Sequence, residues 1–391
     1  MLNCKVAYIS DQQFPVRNAT TEQVINTVSA LSAEGLDIEL IIPGTWRNLG
    51  SQKKELDKKL SKFYHIQNEC NISRLLHLPF SPSKLDKLSH GLIAPIYASI
   101  CQHDVVYTRN SLAAAVALAL RKKVVLEVYR IYDQSTADGA KYLARRTAAS
   151  NSLCVITHSI PSKASLIQAG AVEEKVKVIH NGFNPAPFAP AQTKTEARNR
   201  LGWRERDKIA CFAGRIDIIK GATTILDLAE RTPEIKYVLI GYSQNDKDDW
   251  ILKAAEQKGL KNILKLPWVT SGELPQYLFA SDVLLVPPTA SPMAKYGRTV
   301  LPIKTFMYMG AGRCILAPAL PDTAGVLNDQ NAALVAPDNI DLAVKAIRKI
   351  FEDKAWARSI AKQAQLDSEK YTWERRAKKI IEFLNERLLA N

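Results

Sequence analysis

Two cations and two glycines in one short loop are the residues of this sequence best suited to bind an anion. The apolar run Ile209–Phe212 predicts a buried strand that ends at Gly214. Arg215 and Lys220 follow in the loop, and Gly221 precedes an amphipathic helical pattern. A strand, a glycine turn and a helix N-terminus together present backbone N–H groups and the positive end of a helix dipole to an anion. Arg binds phosphate bidentately and Lys as a point charge, so the loop predicts a diphosphate site; the alternative is a strand-to-helix turn with two solvated cations.

The elements that position this loop follow a regular order along the chain. Short, continuous apolar runs alternate with helical patterns, and the runs predict strands at 5–9, 37–42, 104–108, 124–128, 153–157, 176–179, 209–213, 237–240, 263–266, 283–286, 314–317 and 333–335. Strands that are apolar throughout, each followed by a helix, are typical of parallel sheets covered on both faces. Two successive series of this kind predict an α/β protein with two doubly wound domains.

A proline-rich segment marks the boundary between the two domains. Pro185, Pro187 and Pro190 exclude a helix or a central strand there. We therefore predict an N-terminal Rossmann-like domain over 1–184, a linker over 185–192 and a C-terminal Rossmann-like domain over 193–370. Residues 371–391 carry apolar side chains at helical spacing, and we expect this C-terminal helix to pack back on the N-terminal domain.

Composition and missing motifs narrow the function classes. No apolar run reaches the roughly 20 residues needed to span a bilayer. The six cysteines and six histidines are scattered without metal-ligand spacing, so we expect free thiols in a reducing cytoplasm and no metal site. The sequence has no G-x-G-x-x-G after a strand, no G-x-S-x-G and no G-x-x-x-x-G-K-[ST]. The dinucleotide-binding dehydrogenases, the G-x-S-x-G hydrolases and the P-loop enzymes therefore lose their main support.

The net charge of +14 is large and partly clustered. Lysines are concentrated at 53–62, and further cations lie at 121–123 and 145–146. A solvated surface, an anionic membrane and nucleic acid are three partners that such patches fit. No nucleic-acid motif and no basic stretch interleaved with aromatic residues is present, so we predict no nucleic-acid partner. Peripheral binding to the cytoplasmic face of an anionic membrane stays open.

Six segments, taken together, resemble the family-4 retaining glycosyltransferases, which have the GT-B fold. They are H-N-G-F-N at 180–184, G-R to K-G at 214–221, V-L-I-G at 238–241, S-D-V-L-L-V-P at 281–287, P-I-K-T-F-M-Y-M-G-A-G at 302–312 and N-A-A-L-V-A-P-D at 331–338. They lie in the family's order and cover essentially the whole predicted C-terminal domain. The resemblance implies two Rossmann-like domains that face a cleft.

The resemblance also implies an activity, the transfer of a sugar from a nucleotide-diphosphate sugar to a polysaccharide or lipid-linked acceptor. Family members bind the donor mostly through the second domain and the acceptor mostly through the first, generally without a metal or other cofactor. Arg215 and Lys220 would then stabilise the charge on the leaving diphosphate. The backbone N–H groups of Ile303 and Lys304, at the start of a predicted helix, would supply a second anion cradle.

The sequence departs from the family at carboxylates that usually contact the donor. The family's two glutamates correspond to Thr299 and Met307 here, and its histidine near the end of the fourth strand corresponds to Tyr129. We expect Met307 to lie at the nucleotide site and Arg298 and Thr299 to lie at the donor-sugar pocket, where nearby cations suit an acidic sugar. The alternative for Met307 is a gap-filling role in the core.

Three residues after the fourth predicted strand are candidates for the cleft, namely Tyr129, Arg130 and Asp133. The alternative for Asp133 is the capping of a loop. The departures from the family leave two functions open. We favour an active glycosyltransferase of the hexosyltransferase type, and the alternative is a degenerate homologue that binds a nucleotide sugar or a partner protein without turnover.

Overall fold

The computed structural model describes residues 4–44, 53–66, 70–76, 83–133, 136–150, 152–241, 249–296 and 301–389. These residues form two compact units. Unit 1 runs to Asn181 and includes the C-terminal segment from Trp373, and unit 2 runs from Gly182 to Thr372. Each unit is built on one parallel sheet, so the predicted α/β architecture is confirmed.

The sheet of unit 1 has seven strands among the described residues, in the order β3-β2-β1-β4-β5-β6-β7. They are β1 (Lys5–Ile9), β2 (Asp37–Gly44), β3 (Asn71–Leu76), β4 (Val105–Thr108), β5 (Lys123–Val128), β6 (Leu153–Thr157) and β7 (Val176–Val178). All neighbouring pairs are parallel. The strand order reverses at β1, so the carboxyl ends of β1 and β4 form the switch point at which doubly wound sheets bind ligands.

The sheet of unit 2 repeats this plan in the order β10-β9-β8-β11-β12-β13. Its strands are β8 (Lys208–Ala213), β9 (Ile235–Ile240), β10 (Ile263–Leu266), β11 (Val283–Leu285), β12 (Cys314–Pro318) and β13 (Ala333–Val335). All neighbouring pairs are again parallel. Here the order reverses at β8, which lies between β9 and β11. The glycine loop predicted to bind a diphosphate therefore begins at the switch point of this sheet.

Helices connect the strands and cover both faces of each sheet. They are α1 (Ala19–Ala33), α2 (Lys53–Tyr64), α3 (Ser83–Ile100), α4 (Ser111–Ala119), α5 (Ala137–Ala149), α6 (Ile160–Gln168), α7 (Lys194–Leu201), α8 (Ala222–Arg231), α9 (Trp250–Gln257), α10 (Leu274–Ala280), α11 (Ser291–Tyr296), α12 (Lys304–Gly310), α13 (Ile340–Glu352), α14 (Lys354–Ser368) and α15 (Trp373–Leu384). Among the described residues, no helix combines the length and apolarity that crossing a membrane would require.

Two hydrophobic cores sandwich the sheet of unit 1. On one face, Tyr8 of β1 packs with side chains of α1, α2 and α15. On the other face, Ile9 packs with side chains of α3, α4, α5 and α6. The C-terminal helix α15 belongs to the first of these cores because Ile380 and Phe383 are buried there. In unit 2, α10 and α12 cover one face of the sheet and α8, α9 and α13 cover the other.

The proline-rich segment 185–192 lies in unit 2. Its 3-10 turn Ala186–Phe188 buries Phe188, whose ring centroid is 5.3 Å from that of Phe183 and 5.9 Å from that of Phe279. This aromatic packing holds the prolines against unit 2. The chain therefore changes units between Asn181 and Gly182, ahead of the predicted linker.

Each predicted strand is present, with ends that differ by at most two residues. The prediction missed β3, an edge strand with the sequence N-I-S-R-L-L. Its polar residues interrupt the apolar pattern because an edge strand keeps one side open to solvent. The sequence signal for a fully buried strand therefore did not apply to it.

Candidate functional site

Two glycines bring the carboxyl ends of β8 and β9 together. Gly214 has a φ of +142°, and its N–H donates to the Ile240 carbonyl at 2.8 Å. Gly241 has a φ of +154°, and a Cβ atom there would lie 1.9 Å from the Gly214 carbonyl oxygen. Only a residue without a side chain fits at Gly241. The V-L-I-G segment therefore shapes the turn in which the predicted anion loop begins.

The loop from Gly214 to Gly221 is organised by Asp217. One carboxylate oxygen of Asp217 accepts a hydrogen bond from the Lys220 N–H at 2.7 Å, and the other lies 2.5 Å from Arg215 Nε. Gly221 has a φ of +82°, and a Cβ atom there would lie 2.5 Å from Pro287 Cβ, just after β11. The loop is therefore fixed at both ends. Arg215 is 38% exposed and shares its charge with Asp217, which the sequence reasoning did not anticipate.

Lys304, from α12, reaches the glycine turn at the end of β8. Its Nζ lies 3.4 Å from the centroid of the Phe212 ring, and a Cβ atom added to Gly214 would lie 3.4 Å from the same Nζ. Burial holds the pKa of Lys304 well below its usual range, and the nearby charge of Lys220 lowers it further. A cation–π contact with Phe212 partly offsets this cost. The amino group of Lys304 therefore lies at the turn and near the charge of Lys220, where a bound diphosphate would favour its protonated form.

Two buried polar groups and a glycine hold α12 in this position. Tyr308 is fully buried, and its hydroxyl accepts a hydrogen bond from the Ala213 N–H at 2.8 Å. Asp322 is also buried and accepts from the Leu301 N–H at 3.2 Å, shortly before the helix. A Cβ atom on Gly310 would lie 2.5 Å from the ring of Phe183, so this glycine allows the close packing of α12.

At the start of α12, two backbone N–H groups precede the first hydrogen bonds of the helix. The Thr305 N–H donates to the Pro302 carbonyl and the Phe306 N–H donates to the Ile303 carbonyl. The N–H groups of Ile303 and Lys304 precede these bonds, as N–H groups at a helix N-terminus do. Their role as a second anion cradle stays a prediction, and the position of Lys304 is compatible with it.

Met307 is only 7% exposed and belongs to the hydrophobic core of unit 2. It follows Phe306 and precedes Tyr308, which are both buried in the same core. The structure therefore supports the core-packing interpretation of its thioether. A contact between Met307 and a nucleotide stays a prediction. Arg298 and Thr299, the predicted donor-sugar residues, lie outside the described residues.

The three cleft candidates of unit 1 have local partners. The Arg109 guanidinium carbon lies 4.8 Å from the centroid of the Tyr129 ring. The Arg130 carbonyl accepts from Ser162 Oγ at 2.7 Å. Asp133 Oδ1 accepts from the backbone N–H of Thr136 at 3.0 Å and from its hydroxyl at 2.8 Å, so this carboxylate caps the approach to α5. Their contact with a ligand stays a prediction.

A buried charge cluster in unit 1 was missed by sequence reasoning. Glu127 is 2% exposed and accepts hydrogen bonds from Arg376 at 2.6 Å, Tyr107 at 2.7 Å and Gln23 at 2.7 Å. His158 also contacts this carboxylate through Nε2. Burial disfavours the ionised carboxylate, but Arg376 and His158 outweigh burial and hold the pKa of Glu127 well below its usual range. The signal available in the sequence was one acidic residue inside the otherwise apolar strand V-V-L-E-V.

Two histidines of unit 1, His158 and His180, are linked to this cluster. Burial lowers the pKa of His158, although Glu127 opposes that shift. His180 Nδ1 lies 2.8 Å from the His158 carbonyl oxygen, and burial lowers the pKa of His180 to about 4. Burial therefore favours the neutral form of both rings, and His180 bonds to backbone.

Two residues of the quoted segments support the fold at a distance from the glycine turn. Asp282, which immediately precedes β11, accepts hydrogen bonds from the Ile209 N–H in β8 at 2.8 Å and from Arg198 Nη2 at 2.8 Å. Asn331 donates to the Val326 carbonyl and to Asp367, each at 3.1 Å. Within the described parts of the chain, no group of three or more His, Cys, Asp or Glu side chains could hold a metal ion.

Comparison with known proteins finds a family match within unit 2. Residues 193–367 match the family described as glycosyl transferases group 1. The chain is 25% identical over 218 residues to an uncharacterized glycosyltransferase of Methanocaldococcus jannaschii, covering 54% of this chain and 53% of that protein. It is 24% identical over 235 residues to the D-inositol 3-phosphate glycosyltransferase of Salinispora arenicola, covering 55% and 50%. The chain thus spans about half the length of the curated relatives it matches.

Solved structures share the fold of the whole chain. Sucrose-phosphate synthase from Thermosynechococcus elongatus superimposes with a TM-score of 0.80 at 19% identity, with 100% of both chains covered. Anabaena HepE in complex with UDP has a TM-score of 0.74 at 18% identity and covers 98% of this chain and 100% of its own. At such identities the likeness shows the fold alone. The whole chain therefore has the GT-B fold, and residues 193–367 are similar to the glycosyl transferases group 1 family.

Proposed function

We propose that this protein is a retaining glycosyltransferase of the hexosyltransferase type that uses a nucleotide-diphosphate sugar. The observation that carries the proposal is the position of Lys304 at the Gly214 turn, near enough to Lys220 for that charge to act on it, at the switch point of the sheet. The retaining outcome and a polysaccharide or lipid-linked acceptor follow from the family resemblance. No metal or other cofactor is required by this scheme, since cations of the chain replace it.

The chemistry of the leaving group explains why such a site would accelerate transfer. When the bond between the sugar and the diphosphate breaks, negative charge develops on the diphosphate oxygens. Preorganised cations and N–H groups stabilise that charge more strongly in a partly buried site than in water. Lys304 is suited to this task because its amino group is held against Phe212 before the ligand arrives, and a bound diphosphate would favour its protonated form. Lys220 and the Arg215–Asp217 pair would complete the anion site.

The comparisons support UDP-sugars as the first donors to test. The Anabaena protein HepE is described in complexes with UDP and with UDP-glucose. Thermal stabilisation by UDP, GDP and ADP and by their sugar conjugates would identify the nucleotide that this chain prefers. We expect at least one nucleoside diphosphate to raise the melting temperature, because a ligand that binds only the folded state stabilises it.

Substitutions at the anion loop test the site itself. We expect Arg215→Ala and Lys220→Ala each to weaken binding of the preferred nucleotide by about 1.5–3 kcal/mol, measured by titration calorimetry. Lys258→Ala is the matched control because Lys258 lies in unit 2 and pairs with Glu230 at 2.5 Å. If both loop variants bind like the parent and the control, the proposal is wrong.

The second candidate function is a degenerate homologue that binds the nucleotide sugar without turnover. The burial of Met307 favours it, because the family's glutamate at this position would contact the donor ribose, and a thioether in the core cannot replace it. Release of the nucleotide from UDP-sugars, with and without lipid-linked acceptors, distinguishes the two. Measurable release by the parent supports the enzyme, and tight binding with no release supports the degenerate homologue.

We also propose a peripheral location on the inner face of a membrane, where a lipid-linked acceptor would be found. The positive charge of the chain supports this proposal through attraction to anionic lipids.

A further inference from the structure

Helix α3 of unit 1 turns its large aliphatic side chains outward. Five of them are between 39% and 75% exposed: Leu88, Leu92, Ile93, Ile96 and Ile100. The opposite side of the helix, which is buried, carries small or polar residues, including Gly91, Ala94 and Ala98. This distribution of side chains is the reverse of that in an ordinary surface helix, which buries its large apolar side chains.

The small residues allow α3 to pack closely on α4. A Cβ atom on Gly91 would lie 3.2 Å from Asn110 Oδ1 and 3.3 Å from Leu112 Cδ2. Ala94 and Ala98 share a core with the buried alanines of α4. The packing of unit 1 is therefore complete without the outward row. Among the described residues of unit 1, the exposed leucines and isoleucines of α3 have no packing role that would explain them.

The apolar surface extends over both helices. Leu88 and Ile100 are twelve residues apart, which corresponds to about 18 Å along a helix. Helix α4 has no charged residue between Ser111 and Ala119, and Leu120, which follows it, is 38% exposed. We call this surface the α3/α4 face. An exposed apolar surface of this kind marks a site that binds a protein or a membrane.

Cations border the α3/α4 face. Lys87 is exposed at one end of the face and Arg121 at the other. At that second end, Lys122 donates to the His103 carbonyl at 2.8 Å and so joins the turn after α4 to the turn after α3. Helix α5 packs in the same core and adds exposed cations at 145–146. From 87 to 149 the chain has nine Lys or Arg and four Asp or Glu, one of which is the buried Glu127.

We infer that the α3/α4 face binds the surface of an anionic lipid bilayer, with its aliphatic row at the acyl-chain boundary and its cations on the headgroups. Apolar area and attraction to anionic lipid combine in this mode of binding. A second copy of the chain fits less well, because cations at both ends of the face would meet cations in a symmetric dimer.

This inference deepens the proposed peripheral location and corrects its first rationale. The basic patches of the sequence do not act together. Helix α2, with Lys58, Lys59 and Lys62, packs through Leu56 and Leu60 in the core on the opposite face of the sheet. Only the cations at 121–123 and 145–146 belong to elements on the same side as the α3/α4 face. Nucleotide binding by unit 2 does not enter the reasoning, so the two proposals fail separately.

Vesicle sedimentation tests the inference with matched variants. The parent should bind vesicles that contain phosphatidylglycerol and should bind pure phosphatidylcholine weakly, with some binding retained at about 1 M salt, where the Debye length is about 3 Å. Leu92→Glu/Ile96→Glu should lower partitioning at least about tenfold, since two large aliphatic side chains leave the face. The control Lys58→Glu/Lys59→Glu, which removes more positive charge, should bind much more nearly like the parent.

Site-specific labelling keeps the inference testable if the double glutamate variant is unstable. An environment-sensitive dye on Leu92→Cys should shift to the blue on anionic vesicles, and the same dye on Lys58→Cys should not. The inference is overturned if the parent ignores anionic vesicles, if neutral and anionic vesicles bind it equally, or if only the α2 variant loses binding. A parent that sediments as a dimer, and that Leu92→Glu/Ile96→Glu converts to a monomer without any change in vesicle binding, would also overturn it.

Discussion

Replacing Arg376 by methionine tests whether the buried Glu127 cluster anchors the C-terminal helix to unit 1. Arg376 Nη2 donates to Glu127 at 2.6 Å, and Nη1 donates to the carbonyls of Ile179 at 2.7 Å and His180 at 2.8 Å. Both charged side chains are almost wholly buried. Methionine fills similar space but donates no hydrogen bond. The variant would leave a buried carboxylate without its main countercharge and two carbonyls without a donor.

The expected loss is large relative to the stability of a domain. Removing one partner of a buried ion pair typically costs about 3–5 kcal/mol, out of about 5–15 kcal/mol for a whole domain. We therefore expect Arg376→Met to lower the free energy of unfolding by about 3–5 kcal/mol at pH 8. Urea unfolding followed by circular dichroism measures this difference. Lys379→Met, an exposed position on the same helix, is the control and should stay within about 0.5 kcal/mol of the parent.

The pH dependence of this loss has a definite sign. In the parent, Arg376 and His158 hold the pKa of Glu127 low against the effect of burial, so its stabilising charge is lost only at strongly acid pH. Without Arg376, burial raises that pKa, and protonation removes the unpaired charge as the pH falls. The difference between variant and parent should therefore be smaller at pH 5 than at pH 8. Adding Glu127→Gln should cost less than the sum of the two single changes. An Arg376→Met variant as stable as the Lys379→Met control at pH 8 would refute the reasoning.

Three further predictions concern unit 2. Nucleotide binding should be accompanied by uptake of a proton at Lys304 and should weaken as the pH rises, because burial lowers the pKa of Lys304 and a bound diphosphate raises it again. Calorimetry in two buffers of different ionisation enthalpy should show this uptake in the parent and none in Lys304→Met. Met307→Glu should lower the free energy of unfolding by about 3 kcal/mol at pH 7 and by less at pH 5, where the buried carboxyl is neutral. Met307→Leu, the control, should lower it by less than about 1.5 kcal/mol. Equal stability of the two variants in urea unfolding would contradict the core position of this residue. Gly241→Ala should cost more than about 3 kcal/mol in thermal unfolding because its Cβ atom would meet the Gly214 carbonyl, while Gly259→Ala, which also has positive φ but meets nothing within 4 Å, should cost about 1 kcal/mol. Similar losses at the two glycines would show that the close approach is unimportant.

The sequence predicted the parts of the fold that follow from local patterns. Continuous apolar strands followed by helices indicated two parallel sheets, and Gly214 was recognised as the turn after β8. The family resemblance pointed to α12 as a second contributor to the anion site. The contact between Lys304 and Phe212, however, joins residues that are distant in sequence and depends on how α12 is held by Tyr308. No local pattern specifies that packing.

Other features could not be predicted because apolar patterns do not say which side of a helix faces the protein. The spacing of Leu92 and Ile96 would ordinarily indicate a buried face for α3, and the structure exposes it instead. The pairing of Glu127 with Arg376 joins a strand near the middle of the chain to its last helix. A single acid in an apolar strand indicates that a countercharge exists, but the sequence does not indicate which of its many cations supplies it.

The central claim is that Lys220 and Lys304 bind the diphosphate of a nucleotide at the glycine turn of unit 2. The most direct measurement compares the affinity for the preferred nucleoside diphosphate with that for its nucleoside, in the parent and in Lys220→Ala/Lys304→Met. In the parent we expect the diphosphate to strengthen binding by at least about 100-fold, because each charge-assisted contact contributes about 1.5–3 kcal/mol. In the double variant we expect most of that difference to disappear while the nucleoside still binds. A double variant that keeps the parent's preference for the diphosphate would contradict the account.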